Sequence, residues 1–400
     1  MMHIFEGVKV LAIARQIAAP FAVYQLAMHG ADVISVENPN EPDSMRFVGG
    51  ANQLGATIGL STAFLAQGAN KKSISLNIAT PEGQQIFKRL ASDADVVIEN
   101  LVAGKMRQYG LDYDCLKALN PRLVYCSITG FGQTGPYSKR TAIDLAVQAA
   151  SGLMSINGTK SSGPHATGYT VADYATGYAA ALGVVSALYH VAKTGQGQYI
   201  DVAMLDAACT MASADFCEAA SGGTLRGLRG NGDGRYVQNM FRCADGALVI
   251  AATTEPRRQR LWAAIGRQDI PAQERFSSPE KCLANASALH EEIEQALSTR
   301  SAAEWEEILA EAGVAASVVH DFTQVTQHPQ LLHRGFVASL PSDGLFPRDI
   351  RVMKAPYAFS ETPASISRFP PKFGEHTNQV LGELGYGAQE LAGLRARRVI

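Results

Sequence analysis

The chain has 400 residues, of which 46% are hydrophobic and 18% are charged, and its formal net charge is −2. Because this length exceeds one ordinary hydrophobic core, the values predict a globular protein with two domains. The near-neutral charge and the shortness of the basic clusters exclude a general attraction to nucleic acid or to an anionic membrane surface.

Cysteine and histidine usage adds to these exclusions. The six cysteines form no CxxC pair, and the nine histidines form no HxxxH or HExxH pattern, so the sequence predicts free thiols and no metal site. The N-terminus has no basic region before its apolar run, and no segment approaches eighteen uninterrupted apolar residues. These features predict a cytoplasmic protein without a membrane span.

Strands and helices alternate through the first part of the chain. The patterns predict strands at 8–13, 31–37, 70–76, 95–100 and 123–128, and helices at 20–29, 80–92 and 143–154. Such alternation is typical of an α/β fold with a mostly parallel sheet covered by helices. The turn at 14–20 contains no glycine and therefore lacks the GxGxxG motif, which disfavours an NAD-dependent oxidoreductase.

The segment around Asp173 is the most distinctive part of the sequence. Residues 174–192 are almost wholly small or apolar and predict a buried helix, which a strand at 199–204 follows. Asp173 stands at the start of this helix, where two interpretations remain open. It is either an N-cap or a nucleophile whose ionised form, and any oxyanion formed on it, the helix N–H groups stabilise.

The pattern changes after residue 206. A glycine-rich segment at 229–234 indicates either a linker or an active-site lid. A strand at 247–253 and amphipathic helices at 261–265, 290–299 and 302–312 follow. We therefore expect a smaller α+β domain at 225–330, with a large Rossmann-like domain made from 1–224 and 331–400.

The sequence resembles the family III CoA-transferases of the CaiB/BaiF type, which include formyl-CoA transferase. The resemblance rests on short motifs that occur in order over nearly the whole chain, at 5–11, 30–34, 70–73, 132–136, 194–198 and 374–377. It implies a Rossmann-like large domain, a small domain inserted into it and an interlocked homodimer.

The resemblance also implies a reaction. CoA moves from an acyl-CoA thioester to a free carboxylic acid, and the aspartate at position 173 is the covalent carrier. A mixed anhydride forms on Asp173 first, and an aspartyl-CoA thioester follows. Coenzyme A is thus implied as part of the substrate, with no metal.

Contacts to CoA carry over onto residues spread along the first half of the chain. Asn38 and Gln108 stand where some family members use a basic residue or histidine, so nearby arginines and a lysine are candidates to hold the phosphates instead. The implied CoA-binding set is Gln16, Ile17, Ala18, Asn38, Arg46, Lys72, Leu76, Asn77, Asn100, Arg107, Gln108, Arg140 and Asp144.

The glycine-rich segment is implied as a substrate loop. Gly230, Gly232 and Gly234 would cover the covalent intermediate and keep water from it. Arg235, together with Arg229, is a candidate partner for the second carboxylate of a dicarboxylic acid.

Two alternatives stay open. An α-methylacyl-CoA racemase would match residues 243–246 and 255–256, but it needs a histidine where the chain has Ile143, and His165 is the nearby histidine that could compensate. The other alternative is a non-catalytic acyl-CoA-binding protein, against which the presence of Asp173 argues.

Overall fold

A computed structural model describes residues 3–48, 53–225, 227–232, 237–342 and 344–400. The chain divides into two compact units. The first is formed by Met1–Leu153, Ala166–Gly223 and Leu332–Ile400, and the second by Met154–His165 and Thr224–Leu331.

The first unit contains a six-stranded sheet in which every neighbouring pair is parallel. The strands of the described residues are β1 Lys9–Ile13, β2 Asp32–Glu37, β3 Lys71–Ser75, β4 Val96–Glu99, β5 Val124–Thr129, β6 Gly158–Thr159, β7 Gly163–Pro164, β8 Tyr199–Ala203, β9 Val237–Arg242, β10 Ala247–Ala252, β11 Ala315–Val318, β12 Val337–Leu340 and β13 Ile350–Met353. The order in the six-stranded sheet is β3-β2-β1-β4-β5-β8, so the predicted α/β fold with a parallel sheet is confirmed.

Helices cover both faces of this sheet. In the part of the chain that the structure describes, the α-helices are α1 Ala18–Met28, α2 Gln53–Thr57, α3 Thr62–Gly68, α4 Pro81–Ala91, α5 Lys105–Gln108, α6 Tyr113–Lys117, α7 Asp144–Ala150, α8 Leu153–Ile156, α9 Val171–Thr194, α10 Met204–Met211, α11 Ser213–Ala220, α12 Glu255–Ala264, α13 Pro279–Ala284, α14 Ala286–Leu297, α15 Ala302–Glu311, α16 Phe322–Val325, α17 Pro329–His333, α18 Thr377–Glu383 and α19 Ala388–Ala396.

The strand residues alternate between two cores. In β1, Leu11 and Ile13 join the core that α4, α18 and α19 cover, whereas Val10 and Ala12 join the core under α1 and α9. This period of two follows from the pleat of the strand. The sequence 143–154, expected as one helix, is two short helices, because Gly152 adopts a positive φ of 86° between them.

The helix expected to be buried, α9, is buried along one face only. Its small residues, such as Ala180, Ala187 and Gly177, lie in the core, but Leu182 is 68% exposed and Tyr189 is 66% exposed. Among the described helices, α9 is long and apolar enough to cross a membrane by length and composition alone, and 44% of its most apolar window is buried. The contact of its small face with α1 and the sheet makes it a core helix of this unit.

The second unit is built separately around an antiparallel sheet with the order β11-β10-β9. Helices α12, α14 and α15 pack on it through Leu261, Ile293 and Leu309, which belong to a single buried cluster. The expected helices at 261–265 and 290–299 begin earlier than predicted, at Glu255 and Ala286.

Candidate active site

The carboxyl ends of the six parallel strands share one edge of the sheet, where ligands bind in open α/β folds. The strand order reverses between β1 and β4, so the loops that follow these two strands meet there. The N–H of Arg15 donates to Oδ1 of Asn100 at 2.9 Å, and Nδ2 of Asn100 donates to the carbonyl of Arg15 at 2.8 Å. This reciprocal pair holds both loops at the point of reversal.

The loop before α1 is held by further side chains. Gln16 has a positive φ of 64°, and its N–H donates to the carboxylate of Asp43 at 3.1 Å, while its carbonyl accepts from Nε2 of Gln67 at 3.1 Å. Ile17 is the N-cap of α1 and supplies no side-chain cap. The first N–H groups of α1 therefore receive no cap from the N-cap side chain and can serve an anion.

Asp173 is that anion. It is the third residue of α9, and the backbone N–H of Ala18 donates to its carboxylate. The close approach depends on Gly177, one turn along α9, because a Cβ at this position would lie 2.8 Å from the carbonyl oxygen of Ala18. Phe21 packs edge to face against Tyr174 on the same helix contact, with the ring centroids 4.9 Å apart.

The N-cap interpretation of Asp173 is wrong, because another aspartate caps the helix. Oδ2 of Asp144, on α7, accepts from the N–H groups of Ala172 at 2.8 Å and Asp173 at 3.1 Å. These contacts also correct the expectation that the N–H groups of α9 stabilise an oxyanion on Asp173, because the N–H groups of Ala172 and Asp173 already donate to Asp144. The donor that faces the Asp173 carboxylate comes from α1 instead.

This environment makes Asp173 an unusual carboxyl group. Burial, reinforced by the negative charge of Asp144, raises its pKa to about 6, and the hydrogen bond from Ala18 partly opposes this shift. Asp144 is itself 8% exposed, and its other oxygen is bonded to Nε2 of Gln148. Both carboxylate oxygens of Asp144 therefore accept hydrogen bonds from the protein. Asp144 holds the start of α9 in place, and its negative charge raises the pKa of Asp173.

The structure corrects two of the residues expected to bind CoA. Arg46 is fully buried, and its guanidinium bonds to both carboxylate oxygens of Glu37 and to the carbonyls of Gly59 and Pro371. Lys72 lies at the amino end of β3, opposite the ligand-binding edge, and pairs with Asp32 at 2.8 Å. Both cations have structural partners, so neither is placed to hold phosphate.

The other expected residues lie at or near the carboxyl edge. Leu76 is buried there, and Asn77 and Asn38 form turns in which their side-chain oxygens accept backbone N–H groups two residues ahead. Gln108 ends the short helix α5 and is exposed. Arg140 stacks on the ring of Tyr137, with its guanidinium carbon 3.5 Å from the ring centroid.

A cavity of about 340 Å³ opens at the carboxyl ends of β4 and β5. Arg107 lines it with a side chain that is 76% exposed and pairs with Asp112 at 2.9 Å. The wall also contains residues that were not predicted from the sequence, among them Lys139, Tyr113, Tyr199 and Glu99. Glu99 was detectable as an acid at the end of a wholly apolar strand, and its burial raises its pKa to about 7.

The described part of the glycine-rich segment, 229–232, belongs to the second unit, where it packs on the β6–β7 hairpin. The N–H of Gly230 donates to the carbonyl of Gly158 at 2.7 Å. A Cβ at Gly232 would lie 2.2 Å from the carbonyl oxygen of Gln238, so only glycine fits there without a shift. Gly234 and Arg235 lie outside the described residues.

The described part of the chain contains neither a cluster of metal ligands nor a disulfide. No group of three or more His, Cys, Asp or Glu residues there is placed to hold an ion. All six cysteines are free thiols.

The fold and the site together define an α/β protein that holds a protected carboxylate against the N-terminus of a second helix. The profile of CoA-transferase family III matches residues 5–377. The chain belongs to this family and is a CoA-transferase, as its resemblance indicated.

Relatives over the full length agree. The succinate–glutarate CoA-transferase of Agrobacterium fabrum is 36% identical over 95% of this chain and 95% of its own length. The succinyl-CoA–L-malate CoA-transferase beta subunit of Chloroflexus aurantiacus is 33% identical over 98% of this chain and 97% of its own. The crystal structure of a CAIB/BAIF family protein from Brucella suis has a TM-score of 0.84 and 31% identity, and the match covers 96% of this chain and all of that one.

Proposed function

We propose that this enzyme transfers CoA between two carboxylic acids through covalent intermediates on Asp173. The observation that carries the proposal is the Asp173 carboxylate itself, which is half-buried, caps no helix and receives the N–H of Ala18 at the start of α1. A pKa of about 6 leaves this group mostly ionised at neutral pH while making it more basic than an ordinary aspartate.

The reaction needs no proton transfer at any step. An oxygen of Asp173 attacks the thioester carbonyl of the acyl-CoA, the C–S bond breaks, and a mixed anhydride and the CoA thiolate result. The thiolate attacks the aspartyl carbonyl, the donor acid leaves as its carboxylate, and an aspartyl-CoA thioester remains. The acceptor carboxylate then reverses the two steps, and Asp173 returns to its ionised form.

Ala18 has a defined part in this scheme. Its N–H already donates to the Asp173 carboxylate, and in the attack of thiolate on the aspartyl carbonyl the negative charge develops on an oxygen of this same group. The donor sits at the positive end of α1 and requires no reorganisation. One well-aimed donor of this kind lowers the activation barrier by about 3 kcal/mol.

CoA would lie along the carboxyl edge of the first unit, which we propose as the CoA-binding domain. The cavity lined by Arg107 and Lys139 offers two cations for phosphate groups, and the aromatic rings of Tyr113 and Tyr199 offer a surface for a base.

Replacing Lys139 by alanine should raise the KM for acyl-CoA with little change in kcat. An equal substitution at Lys160, an exposed lysine of the other unit, is the control.

The names of the relatives point to short dicarboxylic acids. One acts on succinate and glutarate and the other on succinyl-CoA and L-malate. We infer that succinyl-CoA is a donor for this enzyme and that a C4 or C5 dicarboxylate is its acceptor.

A homodimer is part of the proposal. The exposed face of α9 carries Tyr178, Leu182, Val185 and Tyr189, at spacings of four, three and four residues, which forms one apolar stripe along the helix. A contiguous apolar stripe on a helix is typical of a subunit interface.

The experiment that tests the mechanism is intact mass spectrometry after incubation with succinyl-CoA, followed by hydroxylamine or borohydride trapping and peptide mapping. We expect an adduct on Asp173 that Asp173→Asn abolishes and that Asp206→Asn, at an exposed aspartate of α10, leaves intact. Transfer to glutarate without any trapped adduct would contradict the covalent route. Exchange of α-protons with D₂O in its place would indicate racemase chemistry.

A further inference from the structure

The second unit encloses a cavity that the proposed chemistry does not use. It has a volume of about 170 Å³ and lies beside the β9 strand, between helices α12, α13 and α14. Its wall is mainly apolar and aromatic, formed by Val237, Phe241, Trp262, Ile270, Phe276 and Leu289. Protein interiors rarely leave voids larger than one water molecule, and this one has room for a small organic molecule.

A cation stands in this apolar wall. The side chain of Arg258 is 17% exposed, and its Nε and Nη2 atoms both donate to a single oxygen of Glu255, at 3.2 and 2.6 Å. The Glu255 side chain is 59% exposed, so water can solvate it when it leaves the guanidinium. A ligand carboxylate in the cavity can therefore take the place of Glu255 as the ion-pair partner of Arg258. The ligand is then paired with the guanidinium, and the displaced Glu255 carboxylate is solvated by water.

The described residues contribute no further negative charge to the wall, whose other polar side chains are Asn239, Ser277, Ser278, Cys282 and His290. His290 stacks on Phe241, with the ring centroids 4.6 Å apart, and its Nε2 faces Glu294 at 3.3 Å. Burial raises the pKa of the Cys282 thiol, which is therefore protonated at neutral pH. An anionic head with an apolar body matches this combination of groups.

We propose that this cavity binds a small apolar carboxylic acid, whose carboxylate pairs with Arg258 while its hydrocarbon part packs against Phe241 and Trp262. All the lining residues belong to the second unit, whereas Asp173 belongs to the first. The cavity is thus built from other residues than those that surround Asp173, and its occupant is bound without being converted there.

Tryptophan fluorescence tests this directly. The chain has two tryptophans, so Trp305→Phe leaves Trp262, in the cavity wall, as the reporter. Titration of this variant with hexanoate should give a saturable change in emission, and hexanamide, which has the same shape without the charge, should bind about tenfold more weakly or worse. Equal responses to the acid and the amide, or no saturable response to hexanoate, would overturn the proposal.

Two further variants, each carrying the Trp305→Phe change, locate the site. Arg258→Gln should weaken hexanoate binding by about tenfold or more, whereas Arg257→Gln, at the exposed neighbour on the same helix, should not alter it. Ala286→Phe, which leaves Arg258 in place and narrows the cavity from α14, should also prevent binding. An unchanged affinity in both Arg258→Gln and Ala286→Phe would overturn the assignment.

Chemical protection gives a second readout that does not depend on fluorescence. Hexanoate should slow the modification of Cys282 by methyl methanethiosulfonate, as measured by peptide mass spectrometry, and should leave exposed Cys115 and Cys217 unaffected. Neither assay contains CoA, and we expect Asp173→Asn to bind hexanoate normally. The two proposals are therefore tested independently. A result that contradicts the transfer mechanism does not affect the proposed hexanoate site, and a result that contradicts the hexanoate site does not affect the transfer mechanism.

Discussion

The chemistry proposed for this enzyme depends on how the Asp173 carboxyl group is surrounded. The position of ionised Asp173 near Asp144 lowers the free energy of unfolding, because burial and the neighbouring charge both disfavour the ionised carboxylate. Its folded pKa of about 6 lies above the ordinary value of 3.8, so the ionised group destabilises the fold as pH rises from 3.8 through 6, and the full cost is present above 6.

Asp173→Asn should therefore stabilise the protein at pH 7.5 while abolishing transfer. We expect the free energy of unfolding to rise by about 1–2 kcal/mol, because the substitution removes a half-buried charge and keeps the shape. The gain should disappear near pH 4, where the wild-type group is protonated in the folded state. Urea titrations at the two pH values measure it, and a gain that did not depend on pH would contradict this account.

Asp144→Asn tests the coupling between the two aspartates. Removing the Asp144 charge should lower the pKa of Asp173 and move the acidic limb of the kcat/KM profile from about pH 6 toward lower pH, by roughly half a pH unit. The loss of a charged acceptor for the N–H groups of Ala172 and Asp173 should cost about 1 kcal/mol of stability. Asp93→Asn, an exposed carboxylate elsewhere in the same unit, is the control. An unmoved acidic limb would refute the coupling.

At the scale of elements, the site is a contact between two helices. Gly177→Ala should lower kcat by about tenfold or more, because the added Cβ forces α9 away from Ala18 and lengthens the hydrogen bond to Asp173. The higher helix propensity of alanine partly offsets the loss of stability that the clash causes. Gly183→Ala on the same helix meets its nearest atom at 3.4 Å and should stabilise without loss of activity. Equal kcat values for both variants would argue against the contact.

The exposed face of α9 allows a separate test of the proposed homodimer. Leu182→Glu places a charge in the middle of the apolar stripe and should shift the protein toward monomer in sedimentation velocity, since a buried unpaired charge is costly. His190→Glu, exposed on the same helix but away from the stripe, should leave the assembly unchanged. A Leu182→Glu variant that sediments as the wild type would exclude this face as the interface.

At the scale of the whole molecule, the two units carry different reporters. Both tryptophans, Trp262 and Trp305, lie in the second unit, whereas the proposed CoA site lies in the first. CoA at about 100 times its Kd should raise the free energy of unfolding of the first unit, to which it binds, by about 2.7 kcal/mol. We expect CoA to shift the far-UV CD melting curve more than the tryptophan fluorescence curve. Equal shifts of both probes would mean that the two units unfold as one.

The sequence by itself determined the α/β class, the family and the approximate extent of most elements of the first unit. Local physics explains this success. Apolar periodicity marks buried strands, and Thr80 before Pro81 marks the start of α4, where the Thr80 hydroxyl accepts from the N–H of Gly83. Motifs of a few residues in a fixed order could indicate the family because each occupies a short stretch of chain.

Only the tertiary structure decided which groups face Asp173. Its partner donor lies 155 positions away at Ala18, and the cap of its helix comes from Asp144, 29 positions before it. Burial also decided that Arg46 pairs with Glu37, although the sequence presents it as one more basic residue near the nucleotide edge. Such contacts depend on how distant segments pack, and hydrogen-bond partners across a fold leave no periodic signal in the chain.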